Sequence, residues 1–157
     1  ECIVKNMIPG IGEPVFCKLD ALLAQALMSI GAVKAVEIGD GMAAAKATGS
    51  QNNDAFVIKD GMMQKATNHS GGILGGMSDG SDIILRASIK PTPSISTTQK
   101  TINKSNEEID INIHGRHDPI IAPRAVVVVE AMAALTIVDA LFVNMSSKMD
   151  SVREFYF

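Results

Sequence analysis

The stretch AVVVVEAMAALTIVDALFV, from Ala125 to Val143, constrains this chain more than any other. Only Glu130 and Asp139 interrupt it with charge. Its length would serve to cross a bilayer, yet each acidic side chain would be costly in hydrocarbon. A buried helix from about Pro123 to Met145 is the expected structure. The apolar residues do not keep to one stripe, least of all in AVVVV and ALTIVDALFV. Such a helix needs cover on more than one side, from other layers of the fold or from a second subunit.

A second helix is expected from Lys18. There KLDALLAQALMSIG sets Leu19, Leu22, Leu23, Ala26, Leu27 and Ile30 at helical spacing, and Gly31 offers a stop. AVKAVEIG then reads as a strand with Lys34 and Glu37 outward, ending at GDG (39–41). MAAAKATGSQNND lacks a strand pattern and is expected as a short helix or ordered loop. FVIK-DG-MMQK (56–65) carries the Asp-Gly pair typical of a tight hairpin. IILRASIK (83–90) reads as a strand that runs into PTPSISTTQ, where two prolines forbid helix. KTINK and EEIDINI complete five or six mostly hairpin-linked strands. Two long helices with such strands define an α+β fold with antiparallel sheet.

A length of 157 residues fits one domain. A net charge of −3 excludes a global electrostatic attraction to nucleic acid. Cys2 and Cys17 form neither a metal-type spacing nor a disulfide framework, which fits a reducing compartment. The opening ECIVKNMIPG has no initiating Met and no secretory pattern, so a piece of a longer protein is expected.

Three loops carry candidate chemistry. NHSGGILGGMSDG (68–80) matches neither a Walker loop nor a dinucleotide fingerprint. It is either a mobile inter-strand loop or a place where Gly72, Gly75 and Gly76 let backbone approach a ligand. KPTPS (90–94) sets Lys90 and Ser94 on a stiff Pro-x-Pro turn, either as a solvated strand end or facing one anionic group. GRHDP (115–119) offers the Arg116 fork and the Asp118 carboxylate, which could equally pair with each other across a turn. His69, His114 and His117 make no metal-ligand spacing. The three turns at strand ends point to one site for a phosphorylated or carboxylated small molecule.

Read together, SIGAVKAVEIGDGMAAAKATGSQNNDAF, TNHSGGILGGMSDG, IKPTPSIS and GRHDPIIAPRAVVVVEAM resemble successive blocks of the chorismate synthase family, from about Pro9 to about Leu141. The resemblance covers the C-terminal half of that enzyme. The Gly-Glu-Ser-His-Gly and Gly-Arg-x-Ser-Ala-Arg motifs of its N-terminal half, and two histidines used there as acids, do not occur in residues 1–157. The chain alone is therefore expected to be inactive.

The resemblance implies loss of phosphate and a ring proton from 5-enolpyruvylshikimate 3-phosphate by 1,4-anti elimination, giving chorismate. It implies reduced FMN (FMNH2) as cofactor, a cytoplasmic homotetramer and a β-α-β sandwich with helices between antiparallel sheets. Neither nucleic acid nor membrane is implied. Some members reduce flavin themselves with NADPH, while others depend on an external flavin reductase. Lys90, Pro91, Thr92, Pro93 and Ser94 match the flavin-binding Lys-Pro turn, with Ser94 where many members have Thr. Gly31, Ala32, Gly75 and Arg116 match flavin contacts, with Gly31 where many have Asn. Asp118 matches the carboxylate that works with flavin N5 on the ring proton, and His117 is read as a bystander. Met42 replaces a usual Phe, apolar for apolar. The rival readings are a structural or oligomerisation piece that binds no flavin, and a generic flavin reductase.

Overall fold

A computed structural model describes residues 1–157. In chain order the elements are β1 (Cys2–Val4), α1 (Leu19–Met28), β2 (Val33–Ile38), β3 (Phe56–Lys59), β4 (Met62–Lys65), β5 (Ile73–Leu74), β6 (Met77–Ser78), β7 (Ile83–Ile89), β8 (Gln99–Ile102), β9 (Glu108–Ile111), α2 (Ala122–Met145) and α3 (Met149–Tyr156). A 3-10 turn over Gly41–Lys46 stands where a short helix or ordered loop is expected. The α+β class and its antiparallel pairing agree with the sequence reading.

The centre is a three-stranded sheet in the order β1-β7-β2. Its middle strand pairs Leu85 with Cys2 on one side and with Ile38 on the other. Hairpins β3-β4, β5-β6 and β8-β9 project from this frame. At the β3-β4 turn Asp60 has φ 52 and Gly61 has φ 76. Both central residues are left-handed, as a type I′ turn requires.

Packing follows from two stripes. Leu19, Leu23 and Leu27 recur every four residues on α1 and are fully buried. They meet Val129, Ala133, Ile137 and Ala140 of α2, with Ile83 and Leu85 of β7 beneath. The alanines bring the two helices close, and each buried leucine contributes about 1.5–3 kcal/mol.

The long apolar helix, expected to be covered by other layers or a second subunit, is partly covered within this chain. Only one stripe of α2 is covered in this chain, while Val127 is 67%, Leu135 65% and Phe142 66% exposed. These three lie on the opposite side, at roughly helical spacing, so α2 has two apolar faces and one of them is open. By length and composition α2 could also cross a membrane. Its covered stripe packs against α1 and the sheet.

The Gly-rich run folds into the β5-β6 hairpin rather than a long loop. Its first glycines cross the end of β2. A Cβ on Gly71 would strike Gly39 N, and one on Gly39 would strike the His69 carbonyl oxygen. Both glycines also have left-handed φ, 59 at Gly39 and 66 at Gly71.

Candidate functional site

Lys90 directly follows the far end of β7, and the turn Pro91–Ser94 comes next. The Lys90 N–H donates to the Ala32 carbonyl at 2.9 Å, which sets the Gly31-Ala32 pair against this turn. Ala32, rather than Gly31, takes the left-handed conformation after α1, with φ 72. A non-glycine residue held there stores strain of about 1–2 kcal/mol.

The Lys-Pro turn is joined to the GRHDP loop by a side chain. Ser94 Oγ and His117 Nδ1 are 2.8 Å apart, and His117 Nε2 lies 3.0 Å from the Ile113 carbonyl oxygen. His117 is thus a bridge and not a bystander. Twenty-three positions separate it from Ser94, so no local spacing announces the contact. The Pro93 carbonyl accepts from Gln99 Nε2 at 3.2 Å. Thr92 Oγ1 is buried without a hydrogen-bond partner.

Asp118 does not pair with Arg116. Its partner is Arg124 of α2, at 2.8 Å from Nη1 and 3.3 Å from Nη2. Arg124 sits on a helical turn that aims its fork back at the loop, whereas Arg116 is exposed. Neither Lys90 nor Arg116 takes part in an ion pair within the chain. Two free cations therefore stand on a stiffened pair of loops, the arrangement an anionic ligand needs.

Gly75 is not brought to this cluster. The Gly76 carbonyl accepts from Leu19 N at the start of α1, whereas Gly31 follows its end, about 15 Å away by helix rise. The expected single edge with three ligand loops thus reduces to two loops, with the glycine hairpin at the other end of the sheet. Gly72 and Gly76 make room for Asp82 and Lys18 of this same chain rather than for a ligand. Gly75 alone faces open space.

A second polar cluster escaped the sequence reading. Lys65 is 4% exposed and reaches Asp54 at 3.5 Å and Asp79 at 2.5 Å, themselves 5% and 9% exposed. Its ammonium also donates to Ser70 Oγ at 2.9 Å. Burial alone would raise both aspartate pKa values. At Asp54 the backbone N–H groups of Ser70 and His69, with the Thr67 hydroxyl, reverse that and hold it well below the ordinary carboxylate range. At Asp79 the Lys65 ammonium and Ser81 lower it. His69 Nδ1 meets Asp40 at 2.6 Å nearby. A cleft of about 780 Å³ opens beside this cluster, between Phe56 and Met63 of the β3-β4 hairpin and Asn68, Asp79 and Asp82. Because both aspartates hold Lys65, its charge is spent on fixing the loops.

Fold and loops together describe an α+β layer with a stiff, cationic loop cluster at one end of its middle strand, as in proteins that hold anionic small molecules. The chain belongs to the chorismate synthase family, whose model matches residues 1–142. It is 65% identical over 156 residues to a chorismate synthase of Agathobacter rectalis, covering 99% of this chain and 42% of the relative. A chorismate synthase of Archaeoglobus fulgidus is 58% identical over 145 residues, covering 92% and 40%. A solved structure titled "Crystal Structure of Chorismate Synthase" superposes with a TM-score of 0.71 at 32% identity, covering 96% of this chain and 38% of the other. The chain thus spans about two-fifths of the length of the relatives it matches. α3 lies beyond the family match.

Proposed function

We propose that the protein carrying this chain is a chorismate synthase, and that Gly31, Ala32, Lys90 to Ser94 and Arg116 hold its reduced FMN. In the overall reaction a ring C–H bond gives up its proton and its electron pair becomes a new C=C bond, the existing ring C=C shifts along by one position, and the C–O bond to phosphate breaks with its pair leaving on phosphate. Reduced flavin, when bound, supplies electron density that eases that C–O cleavage. The residues of this chain bind and orient. Lys90 and Arg116 offer charge to an anionic group, and Pro91 and Pro93 spare the turn an ordering cost on binding. The Ala32 carbonyl accepts one hydrogen bond from the Lys90 N–H, which holds the Gly31-Ala32 pair beside the turn.

Asp118 is the proposed proton-handling carboxylate. Arg124 fixes its plane while leaving one lone pair on each oxygen for a proton. Gly75, about a helix length from the rest, is the least supported member of the flavin set. The 5-enolpyruvylshikimate 3-phosphate substrate, the homotetramer and cytoplasmic residence belong to the same proposal, with flavin reduced either by the enzyme itself or by an external reductase. The open apolar face of α2 supports cover by further layers or subunits.

The observation that carries the flavin reading is the Ser94–His117 bond, which welds two loops bearing unpaired cations into one surface. Anaerobic titration of the full-length protein with FMN, with and without substrate, tests it. Flavin binding that strengthens with substrate is expected. A protein that binds no flavin would undo the site, and chorismate formation by the 157-residue chain alone would show that the site needs nothing more.

A further inference from the structure

We infer that His117 is a positioning residue, which fixes Ser94 as a hydrogen-bond acceptor towards the bound flavin and locks the Lys-Pro turn onto the loop that carries Asp118. The inference rests on the flavin reading of these same loops and assigns a role to a side chain that reading leaves idle.

The hydrogen-bond chemistry leaves little choice. The Ile113 carbonyl can only accept, so the ring nitrogen facing it, Nε2, carries the hydrogen. In the neutral ring Nδ1 is then bare, and the Ser94 hydroxyl must donate its single proton to it. Once that proton is committed, Ser94 Oγ presents only lone pairs to anything else. A ligand group meeting Ser94 must therefore be a donor. A threonine at this position would do the same, since its hydroxyl has one proton and the same reach.

The link is also mechanical. Ile113 lies just past β9, and Ser94 four residues past Lys90, so His117 ties the strand bearing the cation to the segment ending in Asp118. Pro91 and Pro93 stiffen the turn internally but do not attach it to anything. The side-chain attachments of the turn are His117 to Ser94 and Gln99 to the Pro93 carbonyl. Of these, only His117 reaches across to the GRHDP loop.

The experiment is a double-mutant cycle on flavin binding in the full-length protein, with FMN fluorescence quenching under anaerobic conditions as the readout. His117→Ala is expected to weaken FMN binding about tenfold when Ser94 is present, the scale of one well-placed hydrogen bond. In a Ser94→Ala background the same change should cost less than about twofold, because the link is already gone. His117→Asn, whose side-chain amide sits where Nδ1 does, should recover most of the loss. A merely structural histidine would not give this dependence on position 94. Equal losses in both backgrounds, or no loss in either, would overturn the positioning role even while the parent binds flavin. A parent protein that binds no FMN would instead overturn the flavin reading beneath it. If His117→Ala proves unstable, the same cycle with His117→Phe, which keeps the ring volume but not its nitrogens, gives the same readout.

Discussion

Arg124 meets both carboxylate oxygens of Asp118, from a helix that begins four residues after the acid. The arginine belongs to the long apolar helix and the aspartate to the preceding loop, so the packing of α2 sets where the carboxylate points. Asp118 is partly screened and Arg124 largely exposed, hence the pair contributes at most about 1 kcal/mol to stability. Its value is orientation.

Asp118→Asn in the full-length protein is accordingly expected to lower kcat about a hundredfold or more, the usual worth of a positioned proton-transfer group. Arg124→Ala should lower it about tenfold, through a carboxylate that is present but loose. Neither change should move the melting temperature by more than a few degrees. Near-normal turnover by Asp118→Asn would remove that residue from the proton path.

Acid should unfold the Lys65 cluster first. Asp54 and Asp79 titrate below the ordinary range when folded, so the unfolded chain takes up protons at a pH where the folded chain does not. Stability from this cluster is therefore complete near neutrality and declines as pH falls below about 5, towards the folded values. Urea midpoints measured from pH 7 to pH 4 should show that decline, and Asp54→Asn should flatten it. Lys65→Met should cost about 1–3 kcal/mol at pH 7, mostly at Asp79, because Asp54 keeps its backbone and Thr67 donors. That penalty should shrink in acid.

Two alanine substitutions in one motif should diverge. Gly71→Ala drives a Cβ into the Gly39 backbone and should cost more than about 4 kcal/mol, or prevent folding. Gly75→Ala meets nothing within 4 Å and should cost only the left-handed strain of about 1–2 kcal/mol. If Gly75 does touch flavin, its alanine variant will fold while binding FMN more weakly. Thermal melts and FMN titration on the same samples separate the two effects.

Leu135→Glu tests the open face of α2. In the 157-residue chain Leu135 is largely exposed, so the substitution should be nearly neutral or improve solubility. In the full-length protein it should cost about 2 kcal/mol or more if that face is covered. Equal, small effects in both would mean that nothing packs there.

Local periodicity made much of this fold legible. The leucine stripe of α1, the Asp60-Gly61 turn and the bounds of α2 all follow from spacing and turn chemistry within a few residues. What stayed hidden is non-local. β1 is three residues long and exists because Ile83–Leu85, some 80 positions later, offers it an edge. β5 and β6 are two residues each inside a run whose glycines mask any alternation. α3 follows directly on α2, where the apolar pattern had already ended. The site was read through motifs, which named Lys90, Arg116 and Asp118 but not their partners. His117, Arg124 and the buried Lys65 gain their roles from residues 6 to 23 positions away. A lysine closing an exposed hairpin strand gives no sign that two aspartates will enclose it. Solvated loops carry the same polar residues, so TNHSGG and its flanking aspartates give no signal of the cluster either.

The crossing of Gly39 and Gly71 has a consequence for how such a protein can change. Every single-base substitution that alters a glycine codon's meaning adds a side chain or a stop. At these two positions the added atom lands on backbone, where no rotamer can move aside. Neither site has a tolerable neighbour one mutation away, and changing both at once would only add a second clash. A chain built on this loop crossing is held still at the crossing itself.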